Sequence, residues 1–174
     1  MPTIKTLSNS ELPDTEIIRQ VADLLQNSSQ MLATAESCTG GMIAAACTDL
    51  AGSSNWFERG FVTYSNAAKT ELLGVDAALI VQHGAVSEPV ARAMAEGAIA
   101  HSKAHVSVAV TGVAGPGGGS ADKPVGTVWF GWSVGGRVTS ERVLFDGDRA
   151  AVRAATVRHA LQRLVDLLDL PKAS

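Results

Sequence analysis

Two nucleophilic side chains stand side by side in the segment Ala35–Gly41, which reads Ala-Glu-Ser-Cys-Thr-Gly-Gly. A short apolar run before this segment predicts a strand, and another after it predicts a helix. Such a turn leaves unpaired N–H groups at the helix start, where an anion can bind. Ser37 or Cys38 could attack a carbonyl carbon there while the N–H groups stabilise the oxyanion. The alternative is that Ser37 or Thr39 only caps the helix.

A serine hydroxyl needs a base at neutral pH, and the sequence offers a lysine for that role. The four histidines fall in helices, at helix ends or in a connector, and are expected to be surface or packing residues. Lys69 lies among small and apolar residues, and burial would make its amine a neutral proton acceptor. A solvated helix lysine is the alternative. Ser65, four residues before Lys69, is a rival nucleophile.

A glycine-rich loop is predicted at Thr111–Ser120, directly after an alternating valine strand. It lacks the lysine of a P-loop and the glycine spacing of a dinucleotide-binding fold, so neither is expected. Its backbone N–H groups could hold a phosphate or a carboxamide, or the loop could be a flexible connector. Arg149, at the predicted start of the last helix, could contact a phosphate.

Composition narrows the class of protein. The 174 residues are 46% hydrophobic and 18% charged, which is typical of one globular domain. The net charge of −3 comes without a basic stripe, so no nucleic-acid partner is expected. No apolar stretch approaches the roughly 20 residues of a membrane span, and no signal peptide is evident, so we expect a cytoplasmic protein with no membrane partner. Cys38 and Cys47 fit no metal-ligand spacing.

The element pattern predicts a three-layer α/β/α sandwich around a mixed, mostly parallel sheet of about five strands, with a β-hairpin in the C-terminal half. Residues 1–12 are expected to be a flexible N-terminus, and 13–170 a single domain. Ligands bind such sheets at the carboxyl ends of the parallel strands, where both the Ser37 turn and the glycine-rich loop would lie. The predicted helices are 13–26, 41–50, 67–73, 76–82, 90–103 and one from 146 onward, and the predicted strands are 31–35, 57–64, 106–110, 125–134 and 137–145.

Six blocks in the same order together resemble the CinA C-terminal domain family, the nicotinamide-nucleotide amidases of bacteria. The resemblance runs from about residue 14 to 170. The blocks are Ala35–Gly41, Val62–Lys69, Gln82–Ser87, Thr111–Gly118, Lys123–Val128 and Gly147–Arg149.

This resemblance implies hydrolysis of the carboxamide of nicotinamide mononucleotide to nicotinate mononucleotide and ammonia, in the recycling of NAD. It implies an amidase of the Ser–Lys type that needs no metal and no cofactor. The family's serine, tyrosine and lysine fall on Ser37, Tyr64 and Lys69. Lys69 would take the Ser37 proton, with Tyr64 as a relay. The residues expected to bind the nucleotide substrate or its oxyanion are Cys38, Thr39, Gly40, Gly41, Asn66, Thr111, Gly112, Gly115, Gly117 and Arg149.

The family's names also refer to competence and DNA damage, so a non-catalytic nucleotide-binding regulatory module is the alternative function. A thiol amidase that uses Cys38 is a further alternative to the serine mechanism. The alanine-rich helix 90–103 and the edge of the hairpin could support a homodimer or another homo-oligomer.

Overall fold

The computed structural model describes residues 5–7 and 15–171, and it has the predicted three layers, with helices on both faces of one mixed sheet. The predicted flexible segment 1–12 includes the first strand. The rest of that segment, together with Pro13 and Asp14, lies outside the described residues. The strands are β1 (Lys5–Leu7), β2 (Leu32–Glu36), β3 (Phe57–Val62), β4 (Val106–Gly112), β5 (Thr127–Val134) and β6 (Arg137–Phe145), and the α-helices are α1 (Thr15–Asn27), α2 (Met42–Thr48), α3 (Asn66–Leu73), α4 (Ala77–His83), α5 (Glu88–Ala100) and α6 (Arg149–Leu168).

The sheet of the described residues has six strands in the order β1-β6-β5-β4-β2-β3, where five were predicted. The additional strand is β1, which pairs in parallel with β6. The pairs β2–β3 and β2–β4 are also parallel, whereas β4–β5 and β5–β6 are antiparallel. Three of the five pairings between described strands are parallel, so the sheet is mostly parallel by a small margin. The hairpin accounts for the two antiparallel pairings.

The hairpin itself is confirmed. Gly135 and Gly136 join β5 to β6 with φ of 59° and 75°. A two-residue turn with positive φ at both positions matches the twist of the flanking strands, and glycine adopts that backbone without strain.

The two faces of the sheet carry side chains of different size. On one face, large aromatic residues such as Phe130, Trp132 and Phe145 pack with α1, α2 and α6. On the other face, β2 and β4 present alanines to α3, α4 and α5. Gly131 lets α5 approach so closely that a Cβ there would lie 2.5 Å from the carbonyl oxygen of Ala91. The alanine-rich helix thus packs tightly against the sheet.

None of the described helices combines the length and the hydropathy that crossing a bilayer would require.

Candidate active site

Three neighbouring parallel strands, β4, β2 and β3, end at the same edge of the sheet. Ser37 directly follows β2, and Lys69 lies in α3, which begins four residues after β3 ends. The glycine-rich loop follows β4. As expected from the topology, the three segments meet at this edge and surround a cavity of about 310 Å³.

Ser37 and Lys69 are in direct contact although they are 32 positions apart in the chain. Lys69 Nζ lies 3.0 Å from Ser37 Oγ. Lys69 is 1% exposed and Ser37 is 9% exposed, so the contact is shielded from bulk water. Both residues line the cavity. A hydroxyl and an amine at hydrogen-bond distance have the geometry required of a nucleophile and its base.

The surroundings of Lys69 favour its neutral amine. Its Nζ donates to the carbonyl oxygens of Thr63 at 2.8 Å and Tyr64 at 3.4 Å. A neutral amine has two N–H groups, which these carbonyls accept, and its lone pair then faces the hydroxyl of Ser37. Burial lowers the pKa of the Lys69 amine below its ordinary value, because the charged form loses hydration. The lysine is therefore buried and not solvated.

Glu36 supports the turn after the nucleophile, a role that our sequence reasoning missed. Its carboxylate is fully buried and accepts hydrogen bonds from the N–H groups of Ile43 at 2.8 Å and Ala44 at 3.0 Å, and from the hydroxyl of Thr39 at 2.6 Å. The first turn of α2 is thus capped from within the chain. The expectation that these helix-start N–H groups would be open to an external anion is wrong, because the side chain of Glu36 occupies them.

Arg153, in α6, is a second residue that sequence reasoning missed. Its Nε donates to the carbonyl oxygen of Cys38 at 3.1 Å, and its Nη2 donates to that of Thr39 at 3.2 Å. These two carbonyls directly follow the nucleophile in sequence. No local signal could identify this contact, since more than a hundred residues separate the partners.

Tyr64 and Arg149 meet at the mouth of the cavity. Arg149 donates to the phenol oxygen of Tyr64 at 3.2 Å and to the carbonyl oxygen of Gly115 at 2.9 Å. Tyr64 is 60% exposed, and it reaches Lys69 through its backbone carbonyl, whereas its phenol contacts Arg149. Tyr64 therefore lines the cavity. Among the described residues, no hydrogen bond connects its phenol to the Lys69 amine, so the predicted proton relay through Tyr64 is not seen.

Most of the predicted substrate-binding residues line the cavity. Thr111 does so with its hydroxyl bonded to the carbonyl oxygen of Ala85, which is itself a lining residue that was not predicted. Gly117 faces open space, since a Cβ there would meet no atom within 4 Å. The predicted residues that line the cavity are Ser37, Cys38, Tyr64, Asn66, Lys69, Thr111, Gly112, Gly115, Gly117 and Arg149.

Three predicted contacts lie behind the nucleophile, outside the lining of this cavity: Thr39, Gly40 and Gly41. The Thr39 hydroxyl is occupied by Glu36. Gly40 and Gly41, at φ of 59° and 107°, turn the chain from Ser37 into α2. Their glycine character is explained by the turn, because side-chain-bearing residues rarely adopt these angles.

The rival nucleophiles have other surroundings. Ser65 caps α3, its Oγ accepting from the N–H of Ala68 at 3.0 Å. Burial raises the pKa of the Cys38 thiol to about 11, which leaves little reactive thiolate at neutral pH.

No histidine is among the residues that line the cavity. Within residues 5–7 and 15–171, no group of three or more His, Cys, Asp or Glu side chains is arranged to hold a metal ion.

A larger cleft of about 610 Å³ adjoins the cavity, with Ala114 and Arg149 lining both. Most of its lining residues are apolar, and Asp148, Arg149 and Arg153 also line it. Ser37 lines the cavity, Arg153 lines the cleft, and Arg149 lines both.

Comparison with known proteins gives consistent matches. The sequence model of the CinA C-terminal domain family matches residues 14–168 of this chain. Nicotinamide-nucleotide amidohydrolase PncC of Pseudomonas putida is 56% identical over 155 residues, which cover 89% of this chain and 97% of that protein. The Escherichia coli K12 protein of the same name is 50% identical over 159 residues, covering 91% and 95% of the two chains. The crystal structure of competence/damage inducible protein CihA from Agrobacterium tumefaciens superposes with a TM-score of 0.87 at 46% identity, covering 91% of this chain and 98% of that chain.

Proposed function

This chain belongs to the CinA C-terminal domain family, and we propose that it is an amidase that hydrolyses nicotinamide mononucleotide to nicotinate mononucleotide and ammonia. The observation that carries the proposal is the buried 3.0 Å contact between Ser37 Oγ and Lys69 Nζ, inside a cavity at the carboxyl edge of the sheet. The names of the two amidohydrolase relatives support the choice of the substrate.

The first chemical step is an attack by Ser37. Neutral Lys69 takes the hydroxyl proton while Oγ forms a bond to the carboxamide carbon, and the carbonyl electron pair moves onto the oxygen. The resulting oxyanion is stabilised by backbone N–H groups of the turn, of which that of Cys38 belongs to a residue lining the cavity. Removing one such donor in a serine hydrolase costs on the order of 3 kcal/mol of barrier.

The second half of the reaction returns the proton. The oxyanion collapses, the carbon–nitrogen bond breaks, and the leaving nitrogen takes the proton from the Lys69 ammonium to depart as ammonia. Lys69 is then neutral again and accepts a proton from the water that attacks the acyl-enzyme. Collapse of this second intermediate releases the carboxylic acid and restores the Ser37 hydroxyl. One base thus serves both halves.

The cavity and the cleft that adjoins it support the proposal of a nucleotide substrate. We place the carboxamide of the pyridine at Ser37, in the cavity lined by Thr111 and the glycine-rich loop. The ribose phosphate would extend into the larger cleft, where Arg149 offers a cationic contact. The reaction returns the pyridine ring to a form used in NAD synthesis, so the protein would act in the recycling of this cofactor in the cytoplasm.

The test is ammonia release from nicotinamide mononucleotide by the purified protein. Ser37→Ala should abolish turnover and still bind the nucleotide, and Ser65→Ala, which removes only a helix cap, should remain active. An active Ser37→Ala protein would refute the assignment of the nucleophile. Binding without turnover by the wild type, across about pH 6 to about pH 9, would favour the non-catalytic regulatory module instead.

A further inference from the structure

The turn after the nucleophile contains two backbone N–H groups that donate to no other described residue, those of Cys38 and Thr39. Cys38 is 6% exposed and Thr39 is fully buried. The hydrogen bonds found between described residues use neither of their backbone N–H groups, whereas the N–H of Gly40 donates to the carbonyl oxygen of Ser37 at 3.0 Å. Buried backbone donors are rarely left unpaired. Of the two residues only Cys38 lines the cavity, so its N–H is the one that a reacting oxygen can reach.

Arg153 holds the carbonyl side of the same turn. Its guanidinium donates to the carbonyl oxygens of Cys38 and Thr39 through two different nitrogens. The peptide bond between these residues is trans, so the C=O of Cys38 and the N–H of Thr39 point in opposite directions. By fixing the first group, Arg153 fixes the direction of the second. Rotation of this peptide plane would break a charge-assisted hydrogen bond.

The charge of Arg153 also acts on the turn. No ion pair among the described residues includes Arg153, so its guanidinium is not neutralised by a carboxylate in direct contact. A hydrogen bond that a cation donates to a carbonyl polarises the peptide unit and strengthens the N–H on its other side. Arg153 therefore holds and polarises the peptide between Cys38 and Thr39, and it stiffens the turn that carries the Cys38 N–H without touching the substrate.

We propose that Arg153 is a positioning residue that holds the turn after Ser37 in the conformation in which the N–H of Cys38 faces the oxyanion formed during amide hydrolysis. This proposal rests on the proposed function. Arg149, four residues earlier in α6, differs from Arg153 in its partners, because it contacts Tyr64 and the glycine-rich loop at the mouth of the site. The two arginines thus have separate roles, Arg149 toward the nucleotide and Arg153 toward the turn.

The experiment compares the kcat and KM of Arg153→Lys and Arg153→Ala with those of the control Arg158→Ala. Arg158 lies in the same helix, and its side chain has no hydrogen-bond or ion-pair partner in the described part of the chain. A lysine keeps the charge but cannot span two carbonyls with a planar fork. We expect kcat to fall about tenfold to a hundredfold in both Arg153 variants, with KM changed less than about twofold, because the lost interaction is made only in the transition state. Guanidinium added at millimolar concentration should restore part of the kcat of Arg153→Ala, and Arg158→Ala should match the wild type.

Binding separates this role from a contact with the substrate phosphate. Calorimetry with nicotinamide mononucleotide should give the same Kd for Ser37→Ala and for Ser37→Ala combined with Arg153→Lys. A Kd weakened about tenfold by the lysine would show that Arg153 binds the nucleotide and would overturn the proposal. So would an unchanged kcat in folded Arg153→Lys. If Arg153→Ala does not fold, Arg153→Lys is used for both the kinetic and the binding comparison. A wild type without ammonia release would instead refute the proposed function.

Discussion

Replacing Lys69 with methionine tests whether a buried, neutral amine is the base of this site. Methionine has a similar length and no charge, so it can fill the same space next to Ser37 while removing the proton acceptor. Wild-type kcat/KM should rise with pH through the lowered pKa of Lys69 and then level off, since only the neutral amine accepts a proton. Lys69→Met should lose at least about a hundredfold in kcat, and up to about ten-thousandfold.

The same substitution should change how stability depends on pH. Burial lowers the pKa of Lys69 in the folded protein, whereas the unfolded chain keeps the ordinary value of about 10.4. Between the two values the unfolded chain binds more protons than the folded one. The free energy of unfolding of the wild type, relative to Lys69→Met, should therefore rise with pH in that interval by up to about 1.4 kcal/mol per pH unit. Below the interval the amine is charged in both states and its burial destabilises the folded wild type, so Lys69→Met is then more stable relative to the wild type.

Urea unfolding of both proteins over a pH series, together with ammonia release at the same pH values, provides the measurement. A difference in unfolding free energy that does not vary with pH up to about 10 would mean that Lys69 titrates at its ordinary pKa. The lysine would then be charged at neutral pH, and the base mechanism would be refuted. The matched control is Lys103→Met, because Lys103 is exposed and far from the cavity lining.

Three other substitutions give separate tests. Cys38→Ser should keep kcat within about threefold, and iodoacetamide should not inactivate the wild type, because burial raises the thiol pKa to about 11; rapid inactivation would favour the thiol mechanism. Glu36→Gln should lower the free energy of unfolding by about 2 kcal/mol or more in urea titrations, since the amide replaces an acceptor that serves two backbone N–H groups of α2; unchanged stability would contradict the capping role. Gly97→Ala should cost about 1 to 3 kcal/mol in the same titration, because its Cβ would overlap the carbonyl of Leu73 in the helix that carries Lys69; a neutral result would show that α3 can move away freely.

The parts of the fold that local patterns encode could be predicted from the sequence. The strand–turn–helix around Ser37 was predictable because an apolar run meets two glycines, and the hairpin because Gly135 and Gly136 separate two β-type segments. The meeting of Ser37 with the glycine-rich loop followed from topology, since both come after parallel strands.

Other features depend on contacts that no local pattern carries. Lys69 stands in an ordinary-looking helix, and its burial results from the way α3 closes over the ends of β2 and β3. Glu36 resembles any acidic residue in a turn, although its carboxylate caps α2. Arg153 has the spacing of a surface residue in a long helix, and only the packing of α6 brings it to the Ser37 turn. No pattern in the sequence indicates β1, because its three residues are too few to show a period.

The order of the site residues along the chain has a practical use. Ser37 and Lys69 come before the exposed stretch 116–122, and Arg149 and Arg153 come after it. A protein divided within that stretch would therefore carry its nucleophile and base on one fragment and both arginines on the other, with β4 separated from its partner β5. Ammonia produced on mixing two inactive fragments would count the molecules that had reassembled, so this fold could serve as a split reporter of association between two attached proteins.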